Sequence, residues 1–328
     1  MGVALAACQW QDDPVEKVPQ VLTSTAEPTR LQETVVVTHT TIPEQVRTQQ
    51  QDDQDPDNDL VFNIECGEIF CQVPWTGTLK RPFETAFRTT IDPSYPYAST
   101  RGGSLDPHHG VEFPNGFGTP VLAAGAGEVV YVGTDEATVL GPYTGFYGNV
   151  VILKHPNKYE NEAIFSLYAH LSAIDVDQGD QVSSGDKIGE VGASGAADGS
   201  HLHFEIRFFQ NDYKHTLNPV LWFAPDQEPG SDQMAVLAGR ILDRFGHPLN
   251  EFAFVLEKIG AEGDIEKSYY PMTYYPIGVN SHPLLDENFA VPDLPPGEYK
   301  LTLISGRIHS YNFTLQPGSL GFLALQLE

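Results

Sequence analysis

Short runs of alternating apolar and polar residues, broken by glycine, dominate the middle of the chain. Residues 201–208 alternate strictly, with apolar side chains at the even positions and polar side chains at the odd ones. Because successive side chains of a β-strand point to opposite faces, this pattern predicts a half-buried strand. Residues 149–155 form a β-branched run, and residues 179–189 indicate a strand, a turn and a second strand. From residue 60 to 224, the pattern predicts an all-β, glycine-rich, sandwich-like or barrel-like domain.

The C-terminal part of the chain carries a second set of short alternating segments. Proline and glycine separate them, as at residues 293–299, before a closing apolar run at 320–327. This arrangement predicts a β-sandwich over residues 234–328, reached through a polar linker at 225–233. The order of segments resembles the carboxypeptidase regulatory-like (prealbumin-like) sandwich. We interpret it as a spacer or docking module, because a fold alone does not determine a function.

The N-terminal part has a different composition. Residues 1–60 contain 11 acidic and 3 basic side chains and a single aromatic residue. Such a segment buries too little apolar surface to fold, so residues 9–59 are predicted to be a disordered acidic tether. Residues 1–8 end in Leu-Ala-Ala-Cys and resemble part of a bacterial lipoprotein signal, with Cys8 as the lipid site. The basic start of such a signal is missing, and a chance alanine-rich start is the alternative.

The charge of the chain restricts its partners. The chain has 18 Lys and Arg against 44 Asp and Glu, a net charge of −26. This balance excludes a nucleic-acid partner, and it argues against charge-driven adhesion to anionic lipid or wall polymer. No apolar run approaches the ~18–20 residues of a membrane span. We therefore expect a monomer that contacts a membrane only through an N-terminal lipid.

Two further cysteines lie close together. If Cys8 carries a lipid, Cys66 and Cys71 remain, and an even pair in an exported chain predicts a disulfide. Free buried thiols are the alternative. The predicted location is extracytoplasmic, either anchored by lipid to the bacterial cell membrane or secreted.

Histidines concentrate in the middle of the chain. Six of the 11 lie between residues 108 and 203. His201 and His203 share one face of a strand, close enough to serve one centre. A separate segment supplies His108 and Glu112, four residues apart. Histidines and a carboxylate in this combination suit a zinc ion with three protein ligands and an open fourth position.

The remaining polar candidates carry weaker signals. Residues 166–171 also alternate, which predicts that Tyr168 and His170 share a face. His109 is interpreted as a surface or neighbouring residue of the site, and His155 as structural. On the site face of residues 201–208, Glu205 and Arg207 are expected to pair with each other. The three C-terminal histidines are expected to lie at the surface: His247, His282 and His309.

Three motifs together carry a family resemblance. His108-x-x-x-Glu112, residues 168–172 and residues 201–206 resemble the signature of the lysostaphin-like (LytM-type) zinc endopeptidases, which cleave peptide bonds in bacterial peptidoglycan. Glycine-containing segments between and beside these motifs match in the same order, so the resemblance covers roughly residues 100–222. It implies a peptidase domain of the duplicated hybrid motif type. A biotinyl or lipoyl carrier module is discounted, because Lys187 is not presented at the exposed turn that such modules require.

The resemblance assigns roles to five residues. It implies that His108, Glu112 and His203 bind Zn²⁺ and that His170 and His201 are the catalytic pair. The implied activity is hydrolysis of peptide bonds in peptidoglycan cross-links by metal-activated water, with peptidoglycan peptides as the partner. The family usually has Asp where this chain has Glu112, which leaves metal affinity and metal preference open. The alternative is a catalytically inactive binding or activator module for cell-wall hydrolases, although retention of all four histidines argues against it.

Overall fold

The computed structural model describes residues 34–36, 69–159, 161–227 and 231–327. The predicted lipid site Cys8 and most of the predicted tether lie outside these ranges, as do Cys66 and part of the predicted linker. In the described residues the only helices are two short 3₁₀ turns, at Tyr213–His215 and Pro219–Leu221, and neither has the length or apolarity to span a bilayer. The predicted all-β class is confirmed.

Nineteen strands account for the regular structure of these residues. Numbered along the chain, they are β1 (Thr34–Val36), β2 (Phe70–Pro74), β3 (Val111–Phe113), β4 (Pro120–Leu122), β5 (Gly127–Thr134), β6 (Asn149–Tyr159), β7 (Glu162–Leu171), β8 (Ala173–Ile174), β9 (Gln181–Val182), β10 (Lys187–Glu190), β11 (Leu202–Phe208), β12 (Thr216–Leu217), β13 (Ala235–Leu242), β14 (Val255–Ile259), β15 (Ile265–Tyr269), β16 (Phe289–Leu294), β17 (Gly297–Ser305), β18 (Arg307–Leu315) and β19 (Ser319–Gln326).

A large antiparallel sheet forms the centre of the middle region. Its order is β12-β11-β7-β6-β5-β9, and β3 pairs with β11 on the same side as β12. A smaller sheet of order β4-β10-β8 lies in the same region. Gly192, just after β10, is a required glycine, because a Cβ there would lie 2.4 Å from the backbone nitrogen of Ser172. Only glycine allows this close approach of two backbones.

The apolar face of β11 packs into the main core. Leu202, Phe204 and Ile206 are fully buried, as the alternation predicts. The ring of Phe204 lies 4.9 Å from that of Phe223 and 5.2 Å from that of Tyr168, measured between centroids. Burial of side chains of this size stabilises the fold by about 1.5–3 kcal/mol each. The opposite face of β11 is thereby fixed towards the polar site.

The C-terminal strands form two further sheets, of order β16-β13-β19-β2 and β1-β18-β17-β14-β15. They enclose a second apolar core that includes Leu237, Leu256, Leu301 and Leu323. The predicted sheet-rich character of this region is confirmed, while its likeness to the prealbumin-like sandwich stays a prediction. β1, inside the predicted tether, pairs in parallel with β18.

β2 falls within the predicted middle domain, residues 60–224, but it pairs with a C-terminal strand. This strand pairs antiparallel with β19, so residues assigned to the middle domain complete a C-terminal sheet. Cys71 of β2 is disulfide-bonded, and its pairing with Cys66 stays a prediction. The main core also contains Val236 and Phe322 from the C-terminal strands. The described residues from 34 onward belong to one compact unit, and the predicted division at residues 225–233 stays a prediction.

Candidate metal centre

The register of β3 on β11 brings two predicted ligands together. Glu112 lies directly opposite His203 in this antiparallel pair. Directly opposed residues of an antiparallel pair project from the same face, with Cβ atoms about 4.5–5.5 Å apart. The loop before β3 adds His108, and all three side chains are buried.

Three potential ligand atoms converge on one point. His108 Nε2 lies 2.9 Å from Glu112 Oε1, His203 Nδ1 lies 3.0 Å from the same oxygen, and the two nitrogens are 3.2 Å apart. Ligands at ~2.0–2.1 Å from a tetrahedral zinc ion would be about 3.3 Å apart. The three atoms are thus already near the spacing that one such ion requires.

The outer nitrogens of the two imidazoles fix which atoms face this point. His108 Nδ1 lies 2.9 Å from the carbonyl oxygen of Tyr95, and a carbonyl only accepts, so Nδ1 carries the proton. His203 Nε2 lies 3.1 Å from Glu205 Oε1 and donates to it. His108 Nε2 therefore points its lone pair at Glu112, and His203 turns Nδ1, which gives up its proton when a metal ion binds, to the same oxygen. This arrangement is typical of metal-binding histidines.

A buried ion pair supports His203 from behind. Arg207 Nε donates to Glu205 Oε2 at 2.8 Å, and both side chains are fully buried. Tyr147 donates its hydroxyl to Glu205 Oε1. Burial opposes ionisation of Glu205, but the charge of Arg207 and the bonds from His203 and Tyr147 outweigh it and lower its pKa to about 2. The predicted pairing of Glu205 with Arg207 is confirmed. The role of Tyr147 was not predicted from the sequence, where its only local signal is its place before Gly148.

The electrostatics of the cluster favour a cation. Burial alone would lower the pKa of His203, but the carboxylates of Glu112 and Glu205 outweigh it and raise that pKa to about 9. Burial likewise opposes ionisation of Glu112, yet the neighbouring histidines hold its pKa well below the usual value. Without a metal ion, a proton on His203 therefore balances the charge of these carboxylates, and a divalent cation bound by the same donors would take the place of that proton.

Two more histidines border the three ligands. The ring of His170 lies 4.9 Å from that of His201 and 5.7 Å from that of His203, between centroids. His170 Nδ1 donates to the carbonyl of Ser194 at 2.8 Å, and His201 Nδ1 donates to that of Gly199 at 3.0 Å. Each ring therefore turns Nε2 away from the carbonyl that holds it, and His201 Nε2 lies 3.1 Å from Glu112 Oε2.

His170 reaches the site through a local break in alternation. Its φ is +60°, a left-handed conformation at the end of β7. Ala169 pairs with His203, so a regular strand would turn the next side chain towards the core. The predicted shared face of Tyr168 and His170 is therefore wrong. Tyr168 lies in the core, where its hydroxyl accepts from the backbone nitrogen of Ala124 at 2.8 Å.

Burial keeps His170 neutral. Desolvation, with a smaller contribution from the nearby His203, lowers the pKa of His170 to about 4. Its backbone nitrogen also donates to the carbonyl of Tyr147 at 2.9 Å, which fixes the start of the turn. The ring is therefore a neutral hydrogen-bond acceptor at neutral pH, and a pKa of about 4 makes it a weak base.

The sequence of this region matches a known family. Residues 106–219 match the model of Peptidase family M23, and this stretch contains all five site residues. Residues 106–219 are an M23 peptidase domain. The resemblance stated from the sequence motifs is thereby confirmed.

Individual relatives match over parts of the chain. The "Uncharacterized lipoprotein YgeR" of Escherichia coli (strain K12) is 37% identical over 132 residues, which cover 40% of this chain and 43% of that protein. The "Peptidoglycan DD-endopeptidase ShyA" of Vibrio cholerae is 40% identical over 100 residues, covering 30% of this chain and 20% of that protein. The chain thus spans less than half the length of either relative.

Among solved structures, a zinc-containing peptidase from Vibrio cholerae is 30% identical, with a TM-score of 0.32 over 42% of this chain and 38% of that one. This TM-score is too low to support a structural argument.

Two further histidines are buried, one interpreted from the sequence as a surface residue or a neighbour of the site and one predicted to lie at the surface. His109 is 5% exposed, its Nδ1 lies 2.8 Å from Thr216 Oγ1, and its ring stacks on that of Tyr213 at 3.6 Å. His282 is 1% exposed. By contrast, the side chain of His247 is 77% exposed, as predicted. Local sequence did not distinguish these cases, because distant segments cover His109 and His282.

His155 has a structural role in the M23 domain. Its Nδ1 donates to the carbonyl of Ala126 at 2.8 Å, and its Nε2 lies 2.9 Å from Ser166 Oγ. Burial lowers its pKa, so the ring is neutral. This neutral ring connects β6 to the segment before β5 and to β7. Neither of these hydrogen-bond partners is one of the five site residues.

Proposed function

We propose that this protein is a zinc-dependent endopeptidase that hydrolyses peptide bonds in peptidoglycan cross-links. The observation that carries the proposal is the convergence of His108, Glu112 and His203 on one point, with the rings of two further histidines beside it. The M23 match supports peptide hydrolysis, and the name of the relative ShyA supports a peptidoglycan substrate.

The donor set fits zinc. Two imidazole nitrogens and one carboxylate oxygen are ligands that zinc accepts, and three protein ligands leave one position for the reactants. His108, Glu112 and His203 would hold the ion. When bound, zinc would lower the pKa of a water molecule and polarise the carbonyl of the scissile bond.

The bordering histidines supply proton transfer. Because His170 Nδ1 and His201 Nδ1 are held by carbonyls, Nε2 is the atom of each ring that exchanges protons. One ring accepts a proton as the water oxygen bonds to the carbonyl carbon. A proton passes to the amide nitrogen as the carbon–nitrogen bond breaks, so the products are a carboxylate and an amine.

We propose that Glu112 permits turnover in place of the family's usual Asp. Its extra methylene, compared with the family's usual Asp, is accommodated, because one oxygen contacts both ligand histidines and the other lies near His201. The inactive binding or activator module is the competing function.

We propose an extracytoplasmic location, with Cys8 as lipid anchor, and the name of the relative YgeR supports a lipoprotein.

Cleavage of defined cross-linked muropeptides tests this function. We expect the purified, zinc-loaded protein to release cleaved peptides, followed by mass spectrometry, and a chelator or His170→Ala to abolish release. His247→Ala, which changes an exposed histidine, is the matched control and should retain full activity. A zinc-loaded wild type that cleaves no cross-linked peptide would contradict the proposal and favour the binding module.

A further inference from the structure

The segment between β15 and β16, residues 270–288, is long and lacks regular strands. We call it the docking loop. Loops of this length in a compact unit usually have a function. It belongs to the C-terminal part by sequence, but it reaches the edge of the large sheet, where β12 and β3 pair with β11.

Asn280 of the docking loop extends this sheet edge. It forms a parallel bridge with Leu217 of β12. Its side-chain Nδ2 donates to the carbonyls of Lys214 and Thr216, both at 2.9 Å. Its backbone nitrogen donates to Tyr97 Oη at 3.1 Å. One side chain thus satisfies two carbonyls of an edge that would otherwise need other partners.

Two buried tyrosines continue the contact. The rings of Tyr97 and Tyr274 meet edge to face at 5.4 Å between centroids. Tyr97 Oη donates to the carbonyl of Thr216 at 2.9 Å. Tyr274 Oη accepts from Asn218 Nδ2 at 2.7 Å and donates to Glu287 Oε1 at 3.1 Å. The docking loop is therefore tied to the M23 domain by packed rings and by buried hydrogen bonds.

Tyr97 lies within the segment that surrounds the first ligand. The backbone nitrogen of Ala98 donates to the carbonyl of His108 at 2.7 Å. The backbone nitrogen of His108 donates in turn to the carbonyl of Ser99 at 3.0 Å. The carbonyl oxygen of Tyr95, two residues before Tyr97 in the chain, accepts a hydrogen bond from His108 Nδ1. Residues 95–99 thus form hydrogen bonds with both the backbone and the imidazole ring of His108. The docking loop in turn contacts residues 95–99 through Tyr97.

We propose that Asn280 and Tyr97 are positioning residues for His108, so that the docking loop is a component of the metal centre. The C-terminal part then acts as more than the spacer or docking module expected from its sequence. This inference rests on the proposed function in that His108 is taken to bind a metal ion.

Two substitutions in the full-length protein test the inference. Asn280→Asp keeps the shape but places a carboxylate against two carbonyls, and Tyr97→Phe keeps the packing but removes the hydroxyl. We expect each to lower zinc affinity about tenfold, as losses around metal ligands do. We also expect a changed visible spectrum of the Co²⁺-loaded protein. Zinc affinity is measured by competition with a chromophoric chelator.

Asn157→Asp is the matched control, because it makes the same change at an exposed position of β6. It should leave affinity and spectrum unchanged. Folded Asn280→Asp and Tyr97→Phe proteins with wild-type affinity and spectrum would overturn the inference. If Asn280→Asp does not fold, Tyr97→Phe decides.

Amide hydrogen exchange separates this inference from the proposed function. In metal-free protein, the Ala98 amide should exchange faster in both variants than in wild type and Asn157→Asp. Unchanged exchange would overturn the inference. If wild type binds no zinc, the proposed function fails, and the exchange result still decides whether the docking loop holds residues 95–99.

Discussion

Two ion pairs on two β-strand systems show how differently the middle and C-terminal regions use charge. Glu205 and Arg207 lie on β11, are fully buried and continue through His203 to the candidate metal centre. Lys258 and Glu266 pair across β14 and β15, where the side chain of Glu266 is 46% exposed. In sequence, both are charged residues in alternating strands.

The difference is one of surroundings. A buried pair that loses one partner leaves an uncompensated charge, which costs about 3–5 kcal/mol. An exposed pair contributes about 0.2–1 kcal/mol, because water screens it. The buried pair in the M23 domain is therefore part of a network that continues to the candidate metal centre, whereas the Lys258–Glu266 pair lies where water reaches it.

Glu205→Gln should have the largest effect on stability. It leaves Arg207 buried without its carboxylate, so we expect the free energy of unfolding to fall by about 3–5 kcal/mol. Glu266→Gln makes the same change in the exposed pair and should cost less than about 1 kcal/mol. Urea unfolding of both variants measures the contrast, and equal losses would remove the distinction between the two regions.

A smaller effect is expected at Glu287, the buried acid of the docking loop. Burial raises its pKa to about 8, with Asp286 adding to the rise and Tyr274 and the His282 backbone opposing it. The folded state therefore keeps a proton that the unfolded state releases above its ordinary pKa of 4.5. Stability should fall as pH rises from about 4.5 to about 8, by a few kcal/mol, and this contribution should be constant at higher pH.

Glu287→Gln removes this titration. The variant should be more stable than wild type near pH 8, and the difference should shrink as pH is lowered towards 4.5. Thermal or urea unfolding across this range checks the prediction. Parallel pH profiles for the two proteins would show that Glu287 does not keep a proton in the folded state.

Glu112→Asp should have the smallest of these effects. The shorter side chain draws its oxygens away from His108 and His203 and from His201, so we expect zinc affinity to fall about tenfold, or ~1.4 kcal/mol. Chelator competition measures it. An affinity equal to or above that of wild type would mean that the longer side chain does not improve the site.

The parts of the fold that the sequence predicted depend on local period. Strict alternation in residues 201–208 placed His201, His203, Glu205 and Arg207 on one face, and the structure agrees. The shared site of His108, Glu112 and His203 followed from motif resemblance, since spacing along the chain does not determine which strands become neighbours. The pairing register that sets Glu112 opposite His203 is the physical reason that these side chains lie together.

The parts that the sequence did not predict depend on long-range contacts or on a single backbone torsion. The positive φ of His170 reverses the direction of one side chain, and alternation gives no sign of it. The pairing of β2 with β19 and the bonds of Asn280 join residues far apart in the chain. Such contacts change the surroundings of a residue without changing the local pattern.

Metal content of the full-length protein tests the central claim most directly. After saturation with zinc and dialysis, elemental analysis should find one zinc ion per wild-type chain and per His247→Ala chain, and none bound by His203→Ala. Wild type without zinc, or a folded His203→Ala protein that keeps its ion, would contradict the claim that His108, Glu112 and His203 form the metal centre.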